Sequence, residues 1–321
     1  MATMLIAGVE AVADEPGLVF PVDCALGETC FIQQYVDRDP GNGALDYTCG
    51  PLSYDDHKGT DIRVADRKAM SVGVDVLSAT HGRVVALRDG MADRSQLDQD
   101  APDVTDRECG NGLIVERADG WRFQYCHLAR GSLAVSEGEQ VTQGQRLGQI
   151  GLSGLTEFPH LHFQVRDQAG RIIDPFDARE QNESCRFSER ATLWAHLDPN
   201  TDYQPGGALA AGMGPVTPEY NAIRAGVAHN ATLPTEAEAI VFWAHFFGLR
   251  EGDEITLQLF DQSGALLVEQ SHLMPHNRAT QFRAVGRRAE VAWPAGMYRG
   301  QAKLMRDGRT VDSISADVEV R

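Results

Sequence analysis

From residue 61 to about residue 177, short runs rich in Val, Ile, Leu, Phe and Tyr alternate with polar residues and stop at glycines. That period of two, broken by turn signals, is the pattern of strands rather than helices. It predicts strands over 61–65, 74–78, 82–87, 113–117, 122–127, 146–150 and 160–166. Turns are expected at Asp119-Gly120, Glu137-Gly138, Gln143-Gly144 and Ala169-Gly170, where glycine supplies positive φ. No stretch in this region carries a long amphipathic helical stripe, so an all-β unit is expected over 21–190. Between residues 89 and 109 the chain is polar and acidic, too long for a tight hairpin, and reads as a solvated loop or as one wall of a groove. Around 201–218 Gly, Ala and Pro accumulate, which predicts a linker within 191–228. Alternating runs resume after it, such as EITLQLFD and SISADVEV, and predict a small β-sandwich over 229–321.

Two of the predicted strands carry candidate chemistry. In Pro159-His160-Leu161-His162-Phe163 the two histidines project from one face of a strand while Leu161 and Phe163 face the opposite way, into a core. Imidazole is the commonest zinc ligand, and a catalytic zinc takes three protein ligands and leaves one position for water. His57-Lys58-Gly59-Thr60-Asp61 places a histidine and an aspartate four apart, on one side of an extended segment, as Gly59 and the run after Asp61 favour. Tyr125-Cys126-His127-Leu128 ends another strand, and alternation sends Tyr125 and His127 to the face opposite Cys126. The remaining histidines, His81, His196, His229, His245, His272 and His276, have no ligand-like neighbours in sequence and are expected to be structural or superficial.

The succession HKGTD, GNGLIVERADGWRFQYCHL, VSEGEQVTQGQRLGQIGLSG, PHLHFQV and DP resembles the lysostaphin-type (LytM-domain) zinc metallopeptidases, over roughly residues 54–176. The resemblance implies an antiparallel β-sheet peptidase domain with one Zn2+ held by His57, Asp61 and His162, and with His127 and His160 as catalytic groups beside it. It implies an endopeptidase acting on peptidoglycan, at stem peptides or cross-bridges, in the periplasm or outside the cell. The family also includes members that have lost zinc ligands and activate other cell-wall hydrolases; here all five residues are present, which favours an enzyme over an activator or a cell-wall-binding protein. Two departures stand out. Gln164 follows HLHF where the family usually has Glu, and Leu155-Thr156-Glu157-Phe158 replaces the usual Ser-Thr-Gly turn before it.

Composition narrows the picture further. A formal charge of −17 argues against nucleic acid as a partner, because neutralising phosphates requires an excess of Lys and Arg. No run approaches the roughly 18 apolar residues of a membrane span. Six cysteines, Cys24, Cys30, Cys49, Cys109, Cys126 and Cys185, include no CxxC pair, so disulfides and an oxidising compartment are expected, with the connectivity open. The apolar start ending in Ala11-Val12-Ala13 is a candidate signal or leader segment over 1–20, although it lacks a basic start and contains Glu10. The glycine-spaced segment 135–144 also resembles lipoyl- or biotin-carrier barrels. Such a carrier needs a lysine at a hairpin tip, and no lysine occurs between Lys68 and Lys303.

Overall fold

The computed structural model describes residues 17–179, 191–197 and 202–321. Most of the candidate leader and Cys185 lie outside the described residues. The first unit contains β1 (Phe31–Gln34), β2 (Thr60–Arg63), β3 (Asp75–Leu77), β4 (Gly82–Arg88), β5 (Asn111–Glu116), β6 (Arg122–Leu128), β7 (Gln140–Val141), β8 (Arg146–Gln149), β9 (His160–Arg166) and β10 (Ile172–Ile173). One short helix, α1 (Arg67–Val72), starts at Asp66, whose side chain accepts the Ala69 N–H. An antiparallel sheet runs in the order β1-β2-β9-β6-β5-β4-β7, with β10 added to β9, and β3 pairs with β8 separately.

Alternation along the central strands divides this sheet into a dry face and a wet one. Ile62, Leu161, Phe163, Val165, Phe123 and Tyr125 are buried in one hydrophobic cluster. Asp61, Arg63, His160 and His162 take the intervening positions and so face the other side. The seven expected strands all form, each within about two residues of its expected ends. The short strands β1, β7 and β10 were not expected, and two to four residues are too few to show a period.

The second unit pairs a three-stranded sheet with a five-stranded one around its own core, which includes Ile240, Phe242, Phe246, Leu257, Leu259, Tyr298 and Leu304. Its elements are β11 (Gly207–Gly214), α2 (Tyr220–Ala225), β12 (Thr232–Leu233), β13 (Ala239–Leu249), β14 (Glu254–Phe260), β15 (Leu266–Leu273), β16 (Arg278–Arg288), β17 (Gly296–Arg306) and β18 (Arg309–Val320). The expected linker therefore needs correcting, because β11 lies inside it and pairs with β13 along most of its length. Its glycines serve close packing rather than flexibility: a Cβ on Gly212 would sit 2.5 Å from the Trp243 ring.

The two units touch through side chains. Phe31, Leu209 and Phe247 form a small apolar cluster between them, and the Tyr203 hydroxyl donates to the fully buried Asp46 carboxylate at 2.7 Å. His245, on β13, is 2% exposed, and burial together with the nearby Arg63 charge pushes its pKa down to about 3. A histidine held neutral in this way binds its proton more weakly in the folded chain than in the unfolded one. Its stabilising contribution is complete above about pH 6.5, the unfolded value, and is lost as pH falls toward 3. Replacing His245 by Gln should therefore flatten the loss of stability between pH 7 and pH 4 by a few kcal/mol, at about 1.4 kcal/mol for each tenfold difference in proton affinity between the folded and unfolded chain. Urea unfolding of both proteins across that range measures it, and parallel curves would contradict it.

Candidate metal centre

The site starts from the register of β2 and β9. Asp61 stands opposite His162, and Arg63 opposite His160, so three polar groups of the cluster share one face of two adjacent strands. His57 enters from the turn before β2, where Asp56 takes a left-handed φ of 63°. The His162 Nδ1 lies 2.8 Å from Asp61 Oδ1, and His57 Nε2 lies 3.2 Å from the same oxygen and 3.3 Å from His162 Nδ1. His57 and Asp61 are buried, and the His162 side chain is 16% exposed.

Backbone carbonyls determine which imidazole nitrogen faces the cluster. His57 Nδ1 lies 2.7 Å from Tyr35 O, His127 Nδ1 2.7 Å from Ser153 O, and His160 Nδ1 2.9 Å from Phe158 O. A carbonyl only accepts, so each Nδ1 carries a hydrogen, and each Nε2, on the opposite side of the ring, faces the cluster, donating when the imidazole is protonated and offering a lone pair when it is neutral. His160 Nε2 comes within 3.4 Å of Asp61 Oδ1, and the His127 ring centre is 4.7 Å from that of His160 and 6.0 Å from that of His162. Gly59 leaves room for His162, because a Cβ there would meet its Cε1 and Nε2 at 2.6 Å.

The position of His127 departs from simple alternation. Cys126 is the cross-strand partner of His162, so a regular strand would send His127 to the core face alongside Tyr125. Instead the β5–β6 register shifts between Asn111 and Leu113, and His127 takes a φ of 63°. This bulge turns the imidazole back toward the cluster, at a backbone cost of roughly 1–2 kcal/mol. Three features hold it there. The His127 N–H donates to Cys109 O at 2.8 Å, Cys109 is disulfide-bonded to Cys126, and Gly112 opposite lacks a Cβ that would otherwise lie 2.3 Å from Tyr125 O.

Burial and charge act against each other across the cluster. Burial alone would raise the Asp61 carboxyl, but the facing His57 and His160 charges and imidazole hydrogen bonds outweigh it and hold its pKa well below the usual range. For His57 burial favours the neutral form, and the Asp61 charge and hydrogen bond overcome it, so its pKa is raised. His127 goes the other way, far below its ordinary value, through burial and the neighbouring His160 and His162. Burial also lowers His162. Neutral imidazole is the form that can bind a metal or take up a proton.

Among the described residues, His57, Asp61 and His162 are the one group of three or more His, Cys, Asp or Glu whose ligand atoms all lie within 4.8 Å of one another. Two nitrogens and one carboxylate oxygen on one point fit a zinc ion, and the carbonyl on the far side of His57 is the outer partner that metal-binding imidazoles usually have. None of the six remaining histidines joins the cluster. What strand reasoning missed were the carbonyl partners, the bulge, and Tyr54, whose ring stacks on His57 at 4.3 Å. The glycines of Gly110-Asn111-Gly112 were the one sequence signal of irregular backbone there. Phe158, one of the departures from the family pattern, stacks on His160 at 4.5 Å with the Arg63 guanidinium 4.7 Å from its ring.

Residues 55–175 match the model of Peptidase family M23. The chain carries an M23 peptidase domain. The chain is 44% identical over 57 residues to the cell division protein DipM of Caulobacter vibrioides, covering 18% of this chain and 9% of that protein. It is 28% identical over 148 residues to the peptidoglycan DD-endopeptidase ShyB of Vibrio cholerae, covering 44% of this chain and 29% of that protein. The chain thus spans less than a third of the length of either curated relative. A solved zinc-containing peptidase from Vibrio cholerae is 24% identical, with a TM-score of 0.35, over 52% of this chain and 41% of that one. The match covers the M23 domain's two strands β2 and β9 and the bulged strand β6 between residues 55 and 175.

Two predictions test how the M23 domain builds this cluster. Gly59→Ala should push the His162 ring aside and, because the same Cβ would lie 2.8 Å from Phe163 O, loosen the start of the β2–β9 pairing, weakening metal binding by about 10–100-fold as read by chelator competition, with circular dichroism reporting on the sheet. Replacing both Cys109 and Cys126 by Ser should lower unfolding free energy by about 3 kcal/mol, the loop-closure value for this separation. It should also speed exchange of the His127 amide, and an unchanged exchange rate would contradict the role given to Cys109 O.

Proposed function

We propose that the protein is a zinc-dependent endopeptidase that hydrolyses peptide bonds of bacterial peptidoglycan, in stem peptides or cross-bridges, in the periplasm or outside the cell. The observation that carries this reading is the convergence of His57, Asp61, His162, His160 and His127, with three of the imidazoles oriented by backbone carbonyls. In this reading His57 Nε2, Asp61 Oδ1 and His162 Nδ1 hold the ion. A zinc ion there would supply Lewis acidity and bring the pKa of water down to about 7.

The protein's own groups do the remaining work. One carboxylate and two neutral imidazoles would leave a divalent ion held there with a net positive charge, which would favour an electron-rich carbonyl oxygen at the site. His160 and His127 each turn an Nε2 lone pair toward the cluster from outside the ligand set. Either can take a proton at that atom, and once protonated can donate to an oxyanion or a leaving amine. The Tyr54 ring and the Phe158 ring cover His57 and His160 and limit water around them. An open groove of about 840 Å³ runs past His57, lined also by Asp37, Asp55, Asp56 and Arg171. Similarity to the peptidoglycan DD-endopeptidase ShyB supports the substrate class, and the retention of all five groups supports an enzyme rather than an activator.

His162→Ala is expected to lose both bound zinc and digestion of purified sacculi. Excess chelator should abolish the wild-type activity, and added zinc should restore it. Mass spectrometry of the released muropeptides identifies the bond cut, and full activity in the variant or in chelator would sink the proposal.

A further inference from the structure

We infer that the second unit braces the turn behind the peptidase site, with Arg224 of α2 as a positioning residue for His160. This rests on the reading of His160 as a catalytic group, and it goes beyond it by giving the second unit a role at the site.

The chain of contacts is short. Arg224 Nη2 donates to Glu157 O at 2.8 Å and to Ser95 Oγ at 2.6 Å, and Ser95 Oγ donates to the same Glu157 carbonyl at 2.8 Å. Gln96 N–H donates to Thr156 O at 2.9 Å. The segment 156–158 is therefore held from two directions, by the long loop before β5 and by the second unit. That same segment sets the His160 ring. Phe158 O faces His160 Nδ1, Thr156 Oγ1 lies 3.1 Å from that nitrogen and donates to Phe158 O at 2.8 Å, and the Phe158 ring stacks on the imidazole.

Arg224 is well suited to hold such a carbonyl. Hydrogen bonds from a charged donor are stronger than neutral ones, and a guanidinium can engage two acceptors at once. The helix bearing it is itself placed closely. Ile223 is buried, and a Cβ on Gly226, the left-handed residue that ends α2, would meet Asp66 Oδ1 and Lys68 Cβ at 2.6 Å. From the other helix, Arg67 Nη2 donates to Asp98 Oδ1 at 2.6 Å, while Asp98 Oδ2 accepts the Ser95 N–H. The two short helices thus hold one loop together, and that loop and Arg224 hold the turn behind His160.

The test uses the full-length chain with 15N-labelled histidine, first without metal and then loaded with zinc. In Arg224→Gln, the His160 Nδ1–H resonance should shift or broaden, while Arg224→Lys, which keeps the charge, should restore it in part. Zinc content should stay at one per chain in both variants. On a peptidoglycan substrate, kcat should fall by about 10–100-fold in Arg224→Gln with KM nearly unchanged, the size expected when a catalytic group moves by up to about an ångström. Ser95→Ala, which removes the shared hydroxyl from the other side, should act in the same direction and covers the case in which Arg224→Gln fails to fold. An unchanged His160 resonance overturns the proposal whatever the activity, and so does a moved resonance with unchanged kcat. If the wild-type protein cleaves nothing, the peptidase reading fails, while the resonance measurement still decides the clamp.

Discussion

The pairing of Asp61 with His162 across β2 and β9 is the interaction on which the other features of the site depend. A strand has a side-chain period of two, so a slip of one residue in either strand would send the carboxylate or the imidazole into the core. The core also enforces the register. Ile62, Leu161 and Phe163 are fully buried on the opposite face, and exposing any of them would cost about 1.5–3 kcal/mol. Hydrophobic burial on one side of the sheet therefore fixes the polar chemistry on the other. The same register brings Arg63 beside His160, which extends the polar face toward the second unit.

A buried carboxylate among imidazoles is costly unless something compensates its charge. In the metal-free chain the compensation comes from protons, which is why His57 is raised and Asp61 held low. His127 and His162 are instead biased toward neutrality by burial and by repulsion from their histidine neighbours. A cation at the shared point would compensate the Asp61 charge in place of those protons.

Much of the first unit was legible because its signals are local. Alternation gave the seven longer strands, and HLHF gave the face on which His160 and His162 stand. The ligand set came from the family resemblance, and geometry then brought those residues together. Alternation misplaced His127, because a bulge is a one-residue event that breaks the period on which the reading depends. The Tyr35, Ser153 and Phe158 carbonyls could not be found from sequence, since a backbone acceptor has no residue type. Gly and Ala in 207–214 misled for a related reason. The same small residues that make a linker flexible also let a strand approach a Trp243 ring closely, and composition does not distinguish the two.

That misreading of β11 changes how the second unit is understood. A flexible linker would leave it free to roam as a tethered binding module, its position set only by chain length. A strand paired along β13 leaves no such freedom at that point, and the Tyr203–Asp46 hydrogen bond and the Phe31–Phe247 contact bring the unit against the peptidase sheet. An arginine on a tethered module would meet Glu157 O only at the effective concentration of its tether. On a docked unit it is held at hydrogen-bond distance before any substrate arrives, so the ordering of the turn behind His160 is completed on folding rather than during each catalytic cycle.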